Sequence, residues 1–164
     1  MSEHAYIMDG QDAQKPFHYA DCGLQGVYLL NGYEFVEVEG ERGLIIHNMD
    51  GLHATIGLFL VEKRKLIGPR ELRFLRKQMD LTQAELGTML GVSDQTVARW
   101  EKGETEMSGP ADKLLRVLYL WGVNGHVDPR ELFAELAEMD ATNEGMMFVS
   151  TDDDWVPSEP LVAA

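Results

Sequence analysis

The side chains whose types and spacing carry the most chemistry are Thr82 and Gln83, then Ser93, Asp94, Gln95, Thr96, Arg99 and Lys102. Gln95 and Arg99 stand four positions apart, which on a helix stacks them on one face. Both end in planar groups that grip a donor–acceptor edge in two places. Glutamine fits adenine and arginine fits guanine, each pair giving about 1–3 kcal/mol of discrimination. Asp94 is repelled by phosphate, and its best use in such a setting is accepting from the amino group of cytosine. Lys102 is a point cation suited to a phosphate. Thr82 and Gln83 fall where another helix starts, and free backbone N–H groups and the helix dipole favour an anion there.

Two other chemistries compete and are weaker. His18, Cys22, His47 and His53 supply imidazoles and one thiol, but a structural zinc needs four ligands in a closed arrangement and these spacings match no ribbon pattern. No metal and no other cofactor is expected. Cys22 as a nucleophile lacks a recognisable orienting group or oxyanion site, so no catalytic residue is assigned and no enzyme is expected.

The elements that must position the polar set are helices. The first runs from Pro69 to about Met79, with proline where its missing N–H costs nothing. The second starts at the N-cap Thr82, with Glu85 completing a capping box and Leu81 and Leu86 forming a hydrophobic staple; it stops at Gly91. The third is capped by Ser93 and ended by Gly103. On it Val97 and Trp100 must face inward, which leaves Asp94, Gln95 and Arg99 outward. A fourth helix near Pro110–Trp121 is apolar nearly all round, as a helix buried against its own domain and a partner would be. A shorter amphipathic helix, Pro129–Met139, follows.

Two capped helices joined by Gly91-Val92-Ser93 have the layout of a helix-turn-helix. The run LTQAELGTMLGVSDQTVARWEKG (Leu81–Gly103) resembles phage-repressor-like, Xre-type regulators, and the resemblance extends from Pro69 to Trp121. It implies that the third helix lies in the major groove of double-stranded DNA while the start of the second abuts the backbone. It also implies contacts to base edges or adjacent phosphates from the positions of Ser93, Asp94, Gln95 and Arg99; Thr82, Gln83, Thr96 and Lys102 complete the expected DNA-binding set. Arg76 and Glu101 match an ion pair that ties the first helix to the end of the third, a structural role. Regulators of this size are expected to act as homodimers on two half-sites.

Upstream, Val27–Leu30, Tyr33–Glu39 and Leu44–Ile46 read as a three-stranded antiparallel meander turning at Asn31-Gly32 and Gly40–Gly43. Residues 51–61 read as a helix despite Gly57. This unit resembles a degenerate form of the zinc ribbon that precedes the helix-turn-helix in some bacterial antitoxin-like regulators. The expected fold is therefore mainly α: a repressor-like bundle of four to five helices preceded by a small α+β unit. The expected segments are a flexible leader (1–16), the α+β unit (17–66), the helix-turn-helix domain (67–123), a C-terminal helix (124–140) and an acidic disordered tail (141–164).

The chain has 164 residues and a formal charge of −14, which taken whole repels nucleic acid and anionic membrane. The charge is unevenly placed. Glu62–Leu120 holds eleven Lys/Arg and nine Asp/Glu, and the rest holds three against 19. Screening confines the relevant charge to about a Debye length, so the near-neutral middle governs partners. Apolar runs fall short of the roughly 20 residues that span a bilayer, and no secretory signal is visible. A cytoplasmic, nucleoid-associated protein with no membrane partner is expected. The alternative is an antitoxin or other interaction module whose acidic unit neutralises a basic protein such as a toxin.

Overall fold

The computed structural model describes residues 15–139, 145–152 and 154–159. The expected leader therefore lies, as far as residue 14, outside the described residues. Among the described residues six helices and six strands form a mainly α chain with a small β-containing unit. The chain divides into two units, Met1–Thr55 with Glu144–Ala164, and Ile56–Asn143.

The first unit contains a four-stranded sheet in the order β1 (Phe17–His18), β2 (Val27–Leu29), β5 (Met146–Ser150) and β6 (Trp155–Ser158). β2 and β5 run parallel with Val27 opposite Met146 and Leu29 opposite Phe148; the other pairs are antiparallel. This overturns two expectations. The stretch 145–159 is no disordered tail in its described residues, because Met146, Met147, Phe148 and Trp155 are buried. The acidic residues Asp152 and Asp154 belong to the turn between its two strands, where Asp154 bonds Thr151.

Nor is there a three-stranded meander. β3 (Tyr33–Val38) and β4 (Glu41–Ile46) form a hairpin of their own, and β2 joins the other sheet. The reason lies in Asn31-Gly32. Asn31 Nδ2 donates to the Ser150 carbonyl at 2.9 Å and Asn31 Oδ1 accepts from the Ser150 N–H at 2.6 Å, so the side chain extends the β2–β5 pairing. Gly32 has φ +75°, and a methyl there would meet the Trp155 ring within 2.7 Å. These residues seat β5 and β6 instead of turning β2 back on itself.

In the second unit the end of α1 (Met49–Lys63) leads to α2 (Pro69–Gln78), α3 (Gln83–Leu90), α4 (Asp94–Lys102), α5 (Gly109–Asn124) and α6 (Pro129–Glu138). Leu72, Leu75, Leu86, Val97, Trp100 and Leu115 form the centre of its core. Gly57, a poor helix former, sits in α1 because the Tyr119 hydroxyl packs where a side chain would start. Arg116 is fully buried. Its guanidinium donates to the carbonyls of Val61, Arg64 and Lys65 at 2.7–3.1 Å. Asp112 holds it at 2.7 Å. One cation thus satisfies the orphan carbonyls and the negative end of α1. Among the described residues no helix is long and apolar enough to cross a membrane.

Candidate nucleic-acid interface

α3 and α4 are held by local chemistry. Thr82 caps α3: its hydroxyl accepts from the Glu85 N–H at 3.2 Å, and its own N–H donates to Glu85 Oε2 at 2.8 Å. Bonds from the Thr82 N–H and hydroxyl hold the Glu85 carboxyl below its ordinary range. Gly91 ends α3 in the left-handed region at φ 72°. Ser93 then caps α4 by accepting from the Thr96 N–H at 3.1 Å, and Gly103 ends it at φ 72°.

At Gly87 the backbone of the turn approaches α3 closely. A methyl there would stand 2.7 Å from the Val92 carbonyl oxygen and 3.2 Å from the Ser93 backbone. Gly87 is a residue that sequence reasoning missed. The available signal was a glycine inside a short capped helix, which costs about 1 kcal/mol of propensity and so asks for a packing reason.

α4 presents two faces. Val97 and Trp100 are buried, while Asp94, Gln95, Arg99 and Lys102 are exposed. Among the described residues the side chains of Gln95, Arg99 and Lys102 have no hydrogen-bond partner. Asp94 has a local use: its carboxylate accepts from the Gln95 N–H at 2.8 Å, at the positive end of the helix. Thr96 is half-buried, its hydroxyl 3.0 Å from that of Ser93.

Gln83 departs from expectation. It does not point outward beside free N–H groups; its amide donates to Glu101 Oε2 at 2.8 Å. Arg76 grips the same carboxylate at 2.6 and 3.1 Å, and its third bond goes to the Leu81 carbonyl at 2.8 Å. Arg76, Gln83 and Glu101 therefore join α2, α3 and α4 in one network, with Glu101 only 5% exposed. Burial alone would raise the Glu101 carboxyl. The bonds from Arg76 and Gln83, with the charges of Arg76 and Arg73, outweigh it and hold the carboxyl below its ordinary value. Arg73 is exposed and close enough for its charge to be felt there, a cation that sequence reasoning did not single out. Among the described residues the N–H groups of Gln83 and Ala84, at the start of α3, have no acceptor.

The competing constellation does not assemble. His53 meets the Tyr19 hydroxyl at 3.0 Å, His47 lies 3.1 Å from Glu34, and His18 lies against Tyr28. Cys22 donates to the Tyr19 carbonyl, and burial pushes its thiol up, away from the thiolate form. Among the described residues no three His, Cys, Asp or Glu side chains come together to hold a metal ion.

Comparison with known proteins agrees with this geometry. Residues 72–110 match the Helix-turn-helix family model. Repressor protein C2 of Salmonella phage P22 is 44% identical over 45 residues, 27% of this chain and 20% of that protein, so the chain spans only a fifth of this curated relative. No solved structure matches the chain significantly. Residues 72–110 are thus similar to the Helix-turn-helix family, and part of the chain is similar to this phage repressor.

Proposed function

We propose that this protein is a sequence-specific, DNA-binding transcriptional regulator that seats α4 in the major groove. The observation that carries the reading is the exposed pair Gln95 and Arg99 on a helix whose opposite face is buried and whose two ends are capped. Such a helix is pre-organised, so little ordering entropy is lost when its polar face meets base edges. Gln95 and Arg99 read bases; Asp94, whose carboxylate keeps a second lone-pair face, meets a cytosine amino group or turns away. Ser93, Thr96 and Lys102 lie beside the adjoining phosphates. At α3 a phosphate sits on the free N–H groups that follow Thr82. Gln83 serves that contact through its bond to Glu101, which fixes α3 against α4. Two copies act together on an operator of two half-sites one helical turn apart. A protein of this kind works at the chromosome, in the bacterial cytoplasm.

The test starts from duplexes selected out of random sequence. Arg99→Ala and Gln95→Ala should each cost about 1–3 kcal/mol on the selected duplex and relax specificity at one position. Lys102→Ala should weaken all sequences alike and reduce the salt slope by about one. Selection that enriches no sequence would end the reading.

A second reading has one observation behind it. The β3–β4 hairpin exposes Glu34, Glu37, Glu39 and Glu41 beside exposed Phe35, Val38 and Ile45. That is a surface for a basic protein, a toxin included, and co-purification with a neighbouring small basic protein tests it. The two readings are compatible.

A further inference from the structure

The β3–β4 hairpin has a free edge. Glu39 (φ 54°) and Gly40 (φ 84°) form its two-residue turn, with Val38 opposite Glu41. The His47 N–H donates to the Gly32 carbonyl at 2.9 Å, and this bond fixes the alternation of the ladder. Glu34, Val36 and Val38 bond towards β4, so the N–H and C=O groups of Tyr33, Phe35 and Glu37 point the other way. Among the described residues this sheet has two strands only, and these outward groups have no hydrogen-bond partner.

The side chains along the edge form two unlike faces. Tyr33, Phe35 and Glu37 share one face, where the Phe17 ring lies 4.7 Å from Tyr33 and 5.5 Å from Phe35. Phe35 nevertheless stays 47% exposed. Arg42, on β4, stands opposite Glu37 and carries its guanidinium 4.1 Å from the Phe35 ring centroid. The hairpin thus holds its own example of a cation directly across from a carboxylate and diagonal to a ring. The other face carries Val36 and Val38, the second 63% exposed.

We propose that an extended, basic segment of a partner protein adds to the outer edge of β3 as an antiparallel strand. Its cationic side chains lie on the Phe35–Glu37 face and its aliphatic side chains lie over Val36 and Val38. The inference rests on the second reading above and gives it a mode of binding. A cation opposite Glu37 on the added strand has the two neighbours that Arg42 has on β4. The edge of β4 is less suited, because Arg42 itself stands on it. Glu34 and Glu37 on β3 repel an acidic strand, a second copy of β3 included, and so select a basic one. Main-chain bonds supply affinity and the alternating side chains supply specificity.

The experiment is titration of the full chain with a fluorescein-labelled peptide of about eight residues that alternates arginine and valine, read by anisotropy. Its controls are a block isomer, with every arginine before every valine, and copies N-methylated at either the arginines or the valines. The alternating peptide should bind at least ~10-fold more tightly than the block isomer. Residues opposite Phe35 and Glu37 turn their N–H groups towards β3, so methylation at the arginines should abolish binding and methylation at the valines should be tolerated. Phe35→Ala and Glu37→Lys should each weaken binding ~10-fold or more. Both should keep the wild-type melting temperature, because the two side chains are exposed. Glu131→Lys makes the same charge change on an exposed residue of α6 and should cost less than ~2-fold. Binding that is lost with the valine set instead, or with neither set, overturns the proposal. A block isomer that binds as tightly overturns strand addition and leaves an acidic surface for basic proteins. No binding of any peptide at ~1 mM also overturns strand addition, and the second reading then stands or falls on co-purification.

Discussion

Replacing Gly87 with alanine sets two magnitudes against each other. Helix propensity favours alanine by about 1 kcal/mol in the interior of α3. Against that, the new methyl would stand 2.7 Å from the Val92 carbonyl and 3.2 Å from the Ser93 backbone. These neighbours are main chain and cannot swing aside, so the helices must separate, an overpacking cost of about 2 kcal/mol. The expected net loss is about 1 kcal/mol, or about 4–8 °C in the melting temperature of a domain this size. The effect on DNA should be larger than the effect on folding. Moving α4 relative to the N-terminus of α3 misaligns base and phosphate contacts together, at least about a tenfold loss in affinity. Gly91→Ala is the control. It has open space around it but φ +72°, so it should cost about 1–2 kcal/mol of strain and leave affinity per folded molecule unchanged. Denaturant midpoints and fluorescence anisotropy on the same samples decide. If Gly87→Ala melts higher than wild type and binds as tightly, the close approach does not set the geometry.

Other outcomes follow from the same structure. Arg116→Met strands three carbonyls and the Asp112 carboxylate, and should cost about 4 kcal/mol in urea unfolding, the range for breaking a buried pair. Glu101 has a lowered folded value, so its stabilisation is complete above the ordinary carboxylate range and is lost as pH falls through that lowered value. Glu101→Gln should therefore lose stability at about pH 6, and its difference from wild type should shrink as pH falls through the lowered value, as read from urea midpoints; a difference that does not change with pH would contradict the ion pair. Deleting residues 145–164 removes β5 and β6 and should abolish hydrogen-exchange protection of Leu30, whose N–H donates to the Phe148 carbonyl at 3.0 Å. Retained protection would mean that β2 does not depend on the parallel partner.

What the sequence disclosed follows the range of the interactions. The capping box at Thr82, the cap at Ser93 and the stops at Gly91 and Gly103 close within four residues, so their chemistry is written locally. The inward pair Val97 and Trp100 follows from helical period alone. Gln83 was misjudged because its partner, Glu101, lies on another helix. The meander failed for the same reason on a larger scale. Asn31-Gly32 has hairpin chemistry, but Ser150 and Trp155, more than a hundred residues on, claim it. In the expected tail, Met146-Met147-Phe148-Val149 was a strand signal outweighed by the acidic run beside it. Exposed apolar residues on α5 were foreshadowed by a helix apolar nearly all round.

The pairing of β2 with β5 has a consequence for biosynthesis. The strand made early finds its neighbour only after more than a hundred further residues have been translated. Most of the helices are complete before that moment, so the helix-turn-helix is an insertion that matures inside a fold still waiting to close. A message cut short before residue 146 would yield a product with finished helices and a β2 without its parallel partner.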